Sequence, residues 1–419
     1  MAQQNVIARE QYYRIALETT FGVTPSGSYP EALTEIVPQH DALHIDGLAV
    51  EMLEVNDARA RRNDATQPVQ GLEIASKVAM TCYVKAVPSA NVLIGAGTVG
   101  SLSQCIPFRH CFGVEHALAG TTVATGSSST VFDVASASNL KVGSIIGVTV
   151  SGVVEWTKIT EIATATVTVF PPLSGTPANG AVVRNFRTYA PAESHTSSMT
   201  MQVCFSGSTS AQYTANGVAC SMKIAGAFGQ LLTYALDGTA ASYTGPTAQS
   251  ITATTVTDDM GAPFAFKGAT VLLASTVARG TSFVCHSVDV DLMNQWQQVR
   301  EPGGVETVNG VVNVAGRPRA ATIKTRIRFD ADWPAAFLAE TGYTFWLVVP
   351  KGASGANQQF FIIEMGNCKL VSRPKEVKEG ELLFLDLELQ ALMDDQCTLG
   401  VETGTDKDLI LAPYRVAFG

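Results

Sequence analysis

The 419-residue chain is predicted to be mainly β, with a duplicated β-sandwich or barrel domain, a few short helices and a small inserted β-domain. Three observations predict this fold class. First, apolar and charged residues alternate in short runs. Second, closely spaced turns rich in Gly, Pro, Ser and Asn separate these runs. Third, the same order of features occurs in both halves of the chain. Alternation with a period of two gives a strand one buried face and one wet face.

The clearest alternation occurs in three runs of the second half. Apolar residues occupy every second position, with charged or polar residues between them. The runs are centred on Val288–Leu292, Ile323–Phe329 and Leu385–Gln390. Helical signals are fewer, and capping residues, Pro and Gly predict short helices only at residues 89–94 and 332–340.

Internal similarity indicates that the domain occurs twice. The run Gly229-Gln-Leu-Leu-Thr-Tyr-Ala-Leu resembles Gly380-Glu-Leu-Leu-Phe-Leu-Asp-Leu, and residues 44–51 parallel residues 287–292. Gly71 and Gly316 each open a strand that leads, 22 residues later, to Leu93 and Leu338 in the predicted helices. Similar features in one order predict a duplication. The alternative is chance similarity among strands rich in Val and Gly.

An insertion separates two parts of the first copy. Gly71 and Gly229 are 158 residues apart, whereas Gly316 and Gly380 are 64 apart, so copy one carries 94 extra residues. The predicted units are listed in chain order: an N-terminal arm (1–43), copy one (44–116), the inserted small β-domain (117–192), the rest of copy one (193–240), a linker (241–263) and copy two (264–419).

Composition limits the classes of function. Charged residues make up 16% of the chain, below the roughly 25% of an average soluble domain, as expected if an assembly buries much of the surface. The net charge of −9 argues against a general nucleic-acid binder, which should be basic. The eight cysteines include no Cys-x-x-Cys pair, which predicts reduced thiols in the core of a protein that is made in a cytosol.

Neither secretion nor membrane insertion is expected. Residues 1–9 show no basic stretch followed by an apolar one, so no secretion signal is predicted. The longest apolar candidate, near residues 143–154, is interrupted by Gly, Ser and Thr and is shorter than a membrane span. No membrane partner is expected.

A glycine motif is the strongest signal for an enzyme. Gly95, Gly97 and Gly100 form a Gly-x-Gly-x-x-Gly pattern after an apolar run, which would suit a nucleotide-binding enzyme. However, no alternating strand–helix pattern surrounds it, and Pro107 is expected to interrupt the helix that should follow. We expect no cofactor, and the nucleotide-binding enzyme remains the weaker alternative.

Other candidates for chemistry also favour structural roles. Cys105, His110, Cys111 and His116 offer metal-ligand types without an established zinc spacing, so packing plus a surface histidine is expected instead. The paired carboxylates at residues 258–259 and 394–395 are expected to be solvated turns, although glycosidases use carboxylate pairs. No nucleophile elbow or phosphate-binding loop is present. The chain is therefore not expected to be an enzyme and should hold no metal.

A polar stretch of mixed charge lies between two strand signals. It permits two interpretations, a solvated loop or an arm that contacts another subunit or ring through Arg–carboxylate pairs. Its charged residues are Asp57, Arg59, Arg61, Arg62 and Asp64.

Several weak motifs in order resemble the tail tube proteins of long-tailed double-stranded DNA phages. They are Leu17-Glu-Thr-Thr-Phe-Gly-Val-Thr-Pro, the polar arm before residues 69–85, Gly217-Val-Ala-Cys-Ser-Met-Lys-Ile before Gly229, and Val314-Ala-Gly-Arg-Pro-Arg before a strand ending in Phe329-Asp330. The resemblance covers most of the chain outside residues 120–190. The insert and second copy account for its length.

This resemblance implies a structural virion protein, made in the host cytoplasm, that stacks as rings into the hollow tail. Its inner strands would join across subunits in one β-barrel, which hides strand edges. Two copies per chain imply three chains per ring, and one copy implies six. Implied partners are other copies of itself, tape measure protein and DNA in the lumen, and tail terminator and baseplate proteins. A phage adhesin or capsid decoration protein is the alternative.

The tube would pass DNA without gripping it, so an acidic or neutral lumen is expected. Asp386, Glu388 and Gln390 are the candidate lumen residues. The basic row Lys324, Arg326 and Arg328 is expected either to face outward or to pair with acids on a neighbouring strand. The inserted domain is expected on the tube exterior, because an insert in the wall would block barrel closure.

Overall fold

The computed structural model shows a mainly β protein. It describes residues 11–26, 33–36, 39, 44–45, 49–54, 68–74, 76–86, 103–192, 197–205, 211–248, 261–274, 281–292, 296–300, 308–313, 321–328, 343–380, 382–398 and 405–419. The Gly95–Gly100 motif, both predicted short helices, residues 258–259 and the charged arm residues lie outside the described residues.

Among the described residues of the first half, one helix, α1 (Cys105–Phe112), lies between the strands. The strands are β1 (Gln11–Leu17), β2 (Thr34–Ile36), β3 (His44–Ile45), β4 (Ala49–Glu54), β5 (Pro68–Ile74), β6 (Ser76–Tyr83), β7 (Gly113–His116), β8 (Thr121–Gly126), β9 (Val131–Val134), β10 (Ile145–Val150), β11 (Val153–Ala163), β12 (Thr166–Phe170), β13 (Val182–Asn185) and β14 (Arg187–Pro191).

The second half contains a short helix, α2 (Thr405–Ile410), before its last strand. The strands are β15 (Met199–Phe205), β16 (Ala211–Ala227), β17 (Thr233–Ala240), β18 (Ser242–Ala248), β19 (Thr270–Ala274), β20 (Thr281–Asp291), β21 (Trp296–Arg300), β22 (Val308–Asn313), β23 (Thr322–Arg328), β24 (Tyr343–Lys351), β25 (Gln359–Leu370), β26 (Lys375–Glu379), β27 (Leu382–Leu392) and β28 (Arg415–Phe418).

Eight strands of the large sheet form one continuous antiparallel series. Their order is β3–β6–β17–β16–β20–β23–β27–β26. The three alternating runs predicted from sequence lie on β20, β23 and β27, and their predicted faces are confirmed. On β27, for example, Leu385, Leu387 and Leu389 are buried, whereas Asp386 and Glu388 point to the opposite face and are partly exposed.

Helix α1 covers part of the apolar face of this series. The Phe108 ring contacts Tyr234 of β17 with centroids 5.3 Å apart, and Cys111 Sγ donates to the Cys220 carbonyl of β16. The expectation that Pro107 breaks a helix here is wrong. Pro107 is the third residue of α1, within the first turn, where a missing N–H removes no intrahelical hydrogen bond.

A second core lies inside a closed six-stranded barrel, whose order is β10–β11–β12–β9–β8–β13. The barrel falls within residues 117–192, the segment predicted from sequence to be an insert. Ser151 and Gly152, both with positive φ, make the tight turn between β10 and β11. The core contains Phe132, Ile146, Val148, Ile159, Val167 and Val183.

Two hairpins stand apart from the large sheet, β4–β5 and β21–β22. The charged arm, residues 57–64, is the connection between β4 and β5. Within the described parts of the chain, neither helix has the length and apolar composition needed to span a bilayer.

Candidate functional site

The outward face of the eight-strand series carries paired charges. Arg326 of β23 donates to Asp386 of β27 through two nitrogens, with Nε–Oδ1 and Nη2–Oδ2 distances of 2.7 and 3.1 Å. Arg326 also contacts Glu379 of β26. This two-pronged geometry fixes the guanidinium plane, and its hydrogen bond to Asp386 raises the Arg326 pKa above the usual value.

The neighbouring residues repeat the arrangement more loosely. Lys324 Nζ lies 3.6 Å from Glu388 Oε1, and both side chains are substantially exposed. Gln390 lies opposite Thr322 on the same two strands. The basic row and the candidate lumen residues therefore occupy one face, and Lys324 and Arg326 pair with acids on the neighbouring strand.

Charges of both signs alternate across the whole face. Lys223 of β16 reaches Asp291 at 3.3 Å on β20, the strand next to β23. Among the described residues of these eight strands, the face carries the cations Lys77, Lys223, Lys324, Arg326, Arg328 and Lys375 and the anions Asp237, Asp289, Asp291, Glu379, Asp386 and Glu388. The face is therefore close to neutral although the chain is acidic.

Only one face of the series is available to line a channel. The opposite face packs into the main hydrophobic core, which includes Met80, Tyr234, Ile224, Val290, Ile323 and Leu387. If several copies of the series closed into a barrel, the charged face would have to point inward, since α1 and the core occupy the other side.

Both ends of the series are open edges in the part of the chain that the structure describes. Within the described residues, β3 pairs only with β6, and β26 pairs only with β27. The unpaired backbone groups of an edge strand are a template for another strand. The chain therefore presents two edges at which a further chain could extend the sheet.

The hairpin β21–β22 crosses onto the first half of the chain. Trp296 Nε1 donates to the Cys220 carbonyl of β16 at 2.7 Å, and the Cys220 N–H donates to His110 Nε2 at 3.1 Å. The Trp296 and His110 rings stack with centroids 5.0 Å apart. His110 and His116 are both buried, so the expectation of a surface histidine in this motif is wrong.

The cysteines are all described, and all eight are buried free thiols, as the sequence predicts. Burial raises the pKa of Cys105 to about 11 and that of Cys220 to about 12, so both thiols are protonated near neutral pH. The described residues contain no group of three or more metal-ligating side chains.

The paired carboxylates at residues 394–395 were expected to lie in a solvated turn, and only one of them is exposed. Asp395 is exposed, but Asp394 is buried and contacts the ammonium of Lys158 and the guanidinium of Arg415, at 2.7 and 2.8 Å. The expectation is wrong for Asp394, because two distant cations compensate its charge. It forms part of a structural ion cluster that joins the barrel to the large sheet.

Comparison with protein-family models matches residues 8–391 to the family described as phage tail tube protein. Comparison with the curated proteins finds no match. The matched segment includes the charged face, both open edges and the barrel, and it ends before Asp394 and β28.

Proposed function

The chain belongs to the phage tail tube protein family, and we propose that it polymerises as stacked rings into a hollow tube through which DNA passes into the host. It is thus a structural protein of the phage tail. The observation that carries the detailed proposal is the repetition of one strand-pairing register in the two halves of the chain.

Two sequence offsets define the proposed duplication. Aligning Gly229 with Gly380 adds 151 to a residue number, and aligning Gly71 with Gly316 adds 245. Leu236 of β17 lies opposite Met80 of β6. Adding 151 to 236 gives Leu387, and adding 245 to 80 gives Thr325. Leu387 and Thr325 are paired in β27 and β23.

The same offset relates the next strand pair. His44 of β3 lies opposite Ala79 of β6, and adding 245 to both gives Asp289 and Lys324, which are opposite each other in β20 and β23. Chance similarity among apolar strands would not preserve registers between strands so far apart in the chain. The pairing therefore supports two copies, with residues 117–192 inserted into the first and 241–263 linking them.

Two copies in one chain favour a ring of three chains. Each copy contributes four strands to the eight-strand series, β3–β6–β17–β16 and β20–β23–β27–β26. Three chains joined edge to edge would close a barrel of pseudo-sixfold symmetry and leave no open edge. Six copies of the domain would then surround the lumen.

The charged face would line that lumen, including Asp386, Glu388 and Gln390. Its cations are offset by neighbouring acids, as Arg326 is by Asp386, so phosphates of passing DNA would meet few uncompensated positive charges. We infer passive conduction, in which the wall neither binds bases nor performs catalysis. Double-stranded DNA and the tape measure protein would occupy the lumen.

The arm at residues 57–64 would contact a neighbouring subunit. The corresponding hairpin of copy two, β21–β22, already contacts copy one through Trp296 and Cys220. By the same relation, the β4–β5 hairpin of copy one would reach copy two of the next chain, and the loop of this hairpin contains Asp57, Arg59, Arg61, Arg62 and Asp64.

The barrel would project from the outside of the tube. Terminator and baseplate proteins would bind the two ends of the tube.

Negative-stain microscopy of the purified protein at low and high concentration tests the proposal. Hollow rings or stacked tubes are expected, and sedimentation should give rings of three times the 44.2 kDa chain mass. Compact particles at every concentration, including after addition of preformed tube ends, would favour the adhesin or decoration protein instead.

A further inference from the structure

We propose that β26 of one chain pairs with β3 of the neighbouring chain in one defined antiparallel register. In this register Val377 lies opposite His44 of the second copy, and Glu376 lies opposite Ile45 of the second copy. The inference rests on the proposed ring and specifies which residues form its subunit junction.

The chain contains an internal example of this junction. Where the two copies meet, the last strand of copy one, β16, pairs with the first strand of copy two, β20. Ala225 lies opposite Asp289, and Ile224 lies opposite Val290. In a pseudo-sixfold ring, the contact between chains should repeat this contact within the chain.

The first strand is transferred by the offset already used. Subtracting 245 from Asp289 and Val290 of β20 gives His44 and Ile45 of β3. These two residues pair with β6 in the register that Asp289 and Val290 use with β23. β3 is therefore the counterpart of β20 at the opposite edge.

The last strand is transferred through its inner neighbour. Lys223 of β16 lies opposite Ala235, whereas Lys375 of β26 lies opposite Asp386, and adding 151 to 235 gives 386. Lys375 is therefore the counterpart of Lys223, and Val377 is the counterpart of Ala225. Combining the two transfers sets Val377 opposite His44.

The sequence provides a further check two positions along from the Val377–His44 pair. At the internal junction, Lys223 Nζ lies 3.3 Å from Asp291 Oδ2. The corresponding residues between chains are Lys375 and residue 46, since 291 − 245 = 46, and residue 46 is also an Asp. Asp46 lies outside the described residues, so the charge match comes from the sequence alone. The register thus reproduces the Lys–Asp pair of the internal junction, and the identity of residue 46 played no part in deriving it.

Disulfide trapping in assembled rings tests the register. Residues directly opposite in an antiparallel pair have Cα atoms about 4.5–5.5 Å apart, within the usual 4.4–6.8 Å reach of a disulfide. A shift by two residues moves one partner about 6.6 Å along the strand, beyond that reach. The test variant is Val377→Cys with His44→Cys, oxidised after assembly. The matched variants combine His44→Cys with Lys375→Cys or Glu379→Cys.

The proposed register predicts rapid cross-linking only for the Val377→Cys variant, in a ladder that ends at three chains. Each single variant and the unmodified chain, whose eight cysteines are buried, should remain uncross-linked. Stronger cross-linking of either matched variant would overturn the register. Rings without cross-links in any variant would overturn the edge pairing and leave the tube function intact.

Two further results separate the junction from the proposed function. A ladder ending at six chains would retain the register and overturn the three-chain ring. Absence of rings from the unmodified chain would overturn both. As a check without cysteines, Lys375→Asp should raise the concentration needed for assembly about fivefold, and adding Asp46→Lys should restore it. No restoration would count against the Lys375–Asp46 contact.

Discussion

Lys158 Nζ lies 2.7 Å from Glu364 Oε1, and both side chains are fully buried. Lys158 belongs to β11 of the barrel and Glu364 to β25 of the large sheet. Asp394 and Arg415 complete the cluster, with Arg415 Nη1 2.7 Å from Glu364 Oε2. Residues far apart in the chain thereby attach the barrel to the large sheet.

Removing the Lys158 charge should destabilise the fold. In Lys158→Met, Glu364 and Asp394 lose a buried partner, which costs about 3–5 kcal/mol of unfolding free energy. Denaturant unfolding of the unassembled chain measures this loss. The control Lys324→Met removes an exposed lysine from its pair with Glu388 and should cost less than about 1 kcal/mol. Equal effects of the two variants would contradict the structural role of the cluster.

Asp394 should make stability sensitive to acid. Burial by itself would raise the pKa of Asp394, but the charges of Lys158 and Arg415 outweigh it and hold the pKa below its usual 3.8. A depressed folded-state pKa contributes stability above the unfolded value and loses it as pH falls towards the folded value. The melting temperature should therefore decrease as the pH is lowered below about 4. The variant Asp394→Asn should show a smaller decrease over this pH range and a lower stability at pH 7. An unchanged acid slope in the variant would count against this assignment.

Sequence patterns predicted the strands better than the buried polar contacts. The faces of β20, β23 and β27 follow from alternation, because one-sided burial leaves a period of two. The Lys158 cluster could not be predicted, since its partners lie 206 and 236 residues further along the chain. The burial of His110 was missed for the same reason: the hydrogen bond that it accepts from the Cys220 N–H depends on a strand that is remote in sequence.

Neutralising the acids of the charged face should make assembled tubes bind DNA. Asp386→Asn with Glu388→Gln removes the Glu388 carboxylate from Lys324 and the Asp386 carboxylate from Arg326, which still contacts Glu379, so phosphates can replace the lost acids. Filter binding of duplex DNA should increase at low salt and weaken steeply as salt rises. The control Asp133→Asn with Glu161→Gln removes the same charge from the barrel and should bind as weakly as the unmodified tube. Equal binding by both variants would contradict a lumen location for Asp386 and Glu388.

Exposed leucines at equivalent turns should hold one ring to the next. Leu231 and Leu382 are related by the offset of 151 and are 40% and 46% exposed. Each lies two residues after a glycine in positive φ, Gly229 or Gly380, where the chain turns into β17 or β27. Strands β17 and β27 run in the same direction in the series, so a ring of three chains would present six such leucines at one end.

Introducing charge at this end should therefore block stacking without preventing ring formation. Leu231→Asp with Leu382→Asp would bury uncompensated carboxylates between rings, at a cost well above the apolar contact that is lost. Microscopy and sedimentation should find single rings where the unmodified chain forms tubes. The control Val153→Asp alters an exposed apolar residue beside the barrel turn and should still form tubes. Long tubes from the double variant would show that other surfaces join the rings.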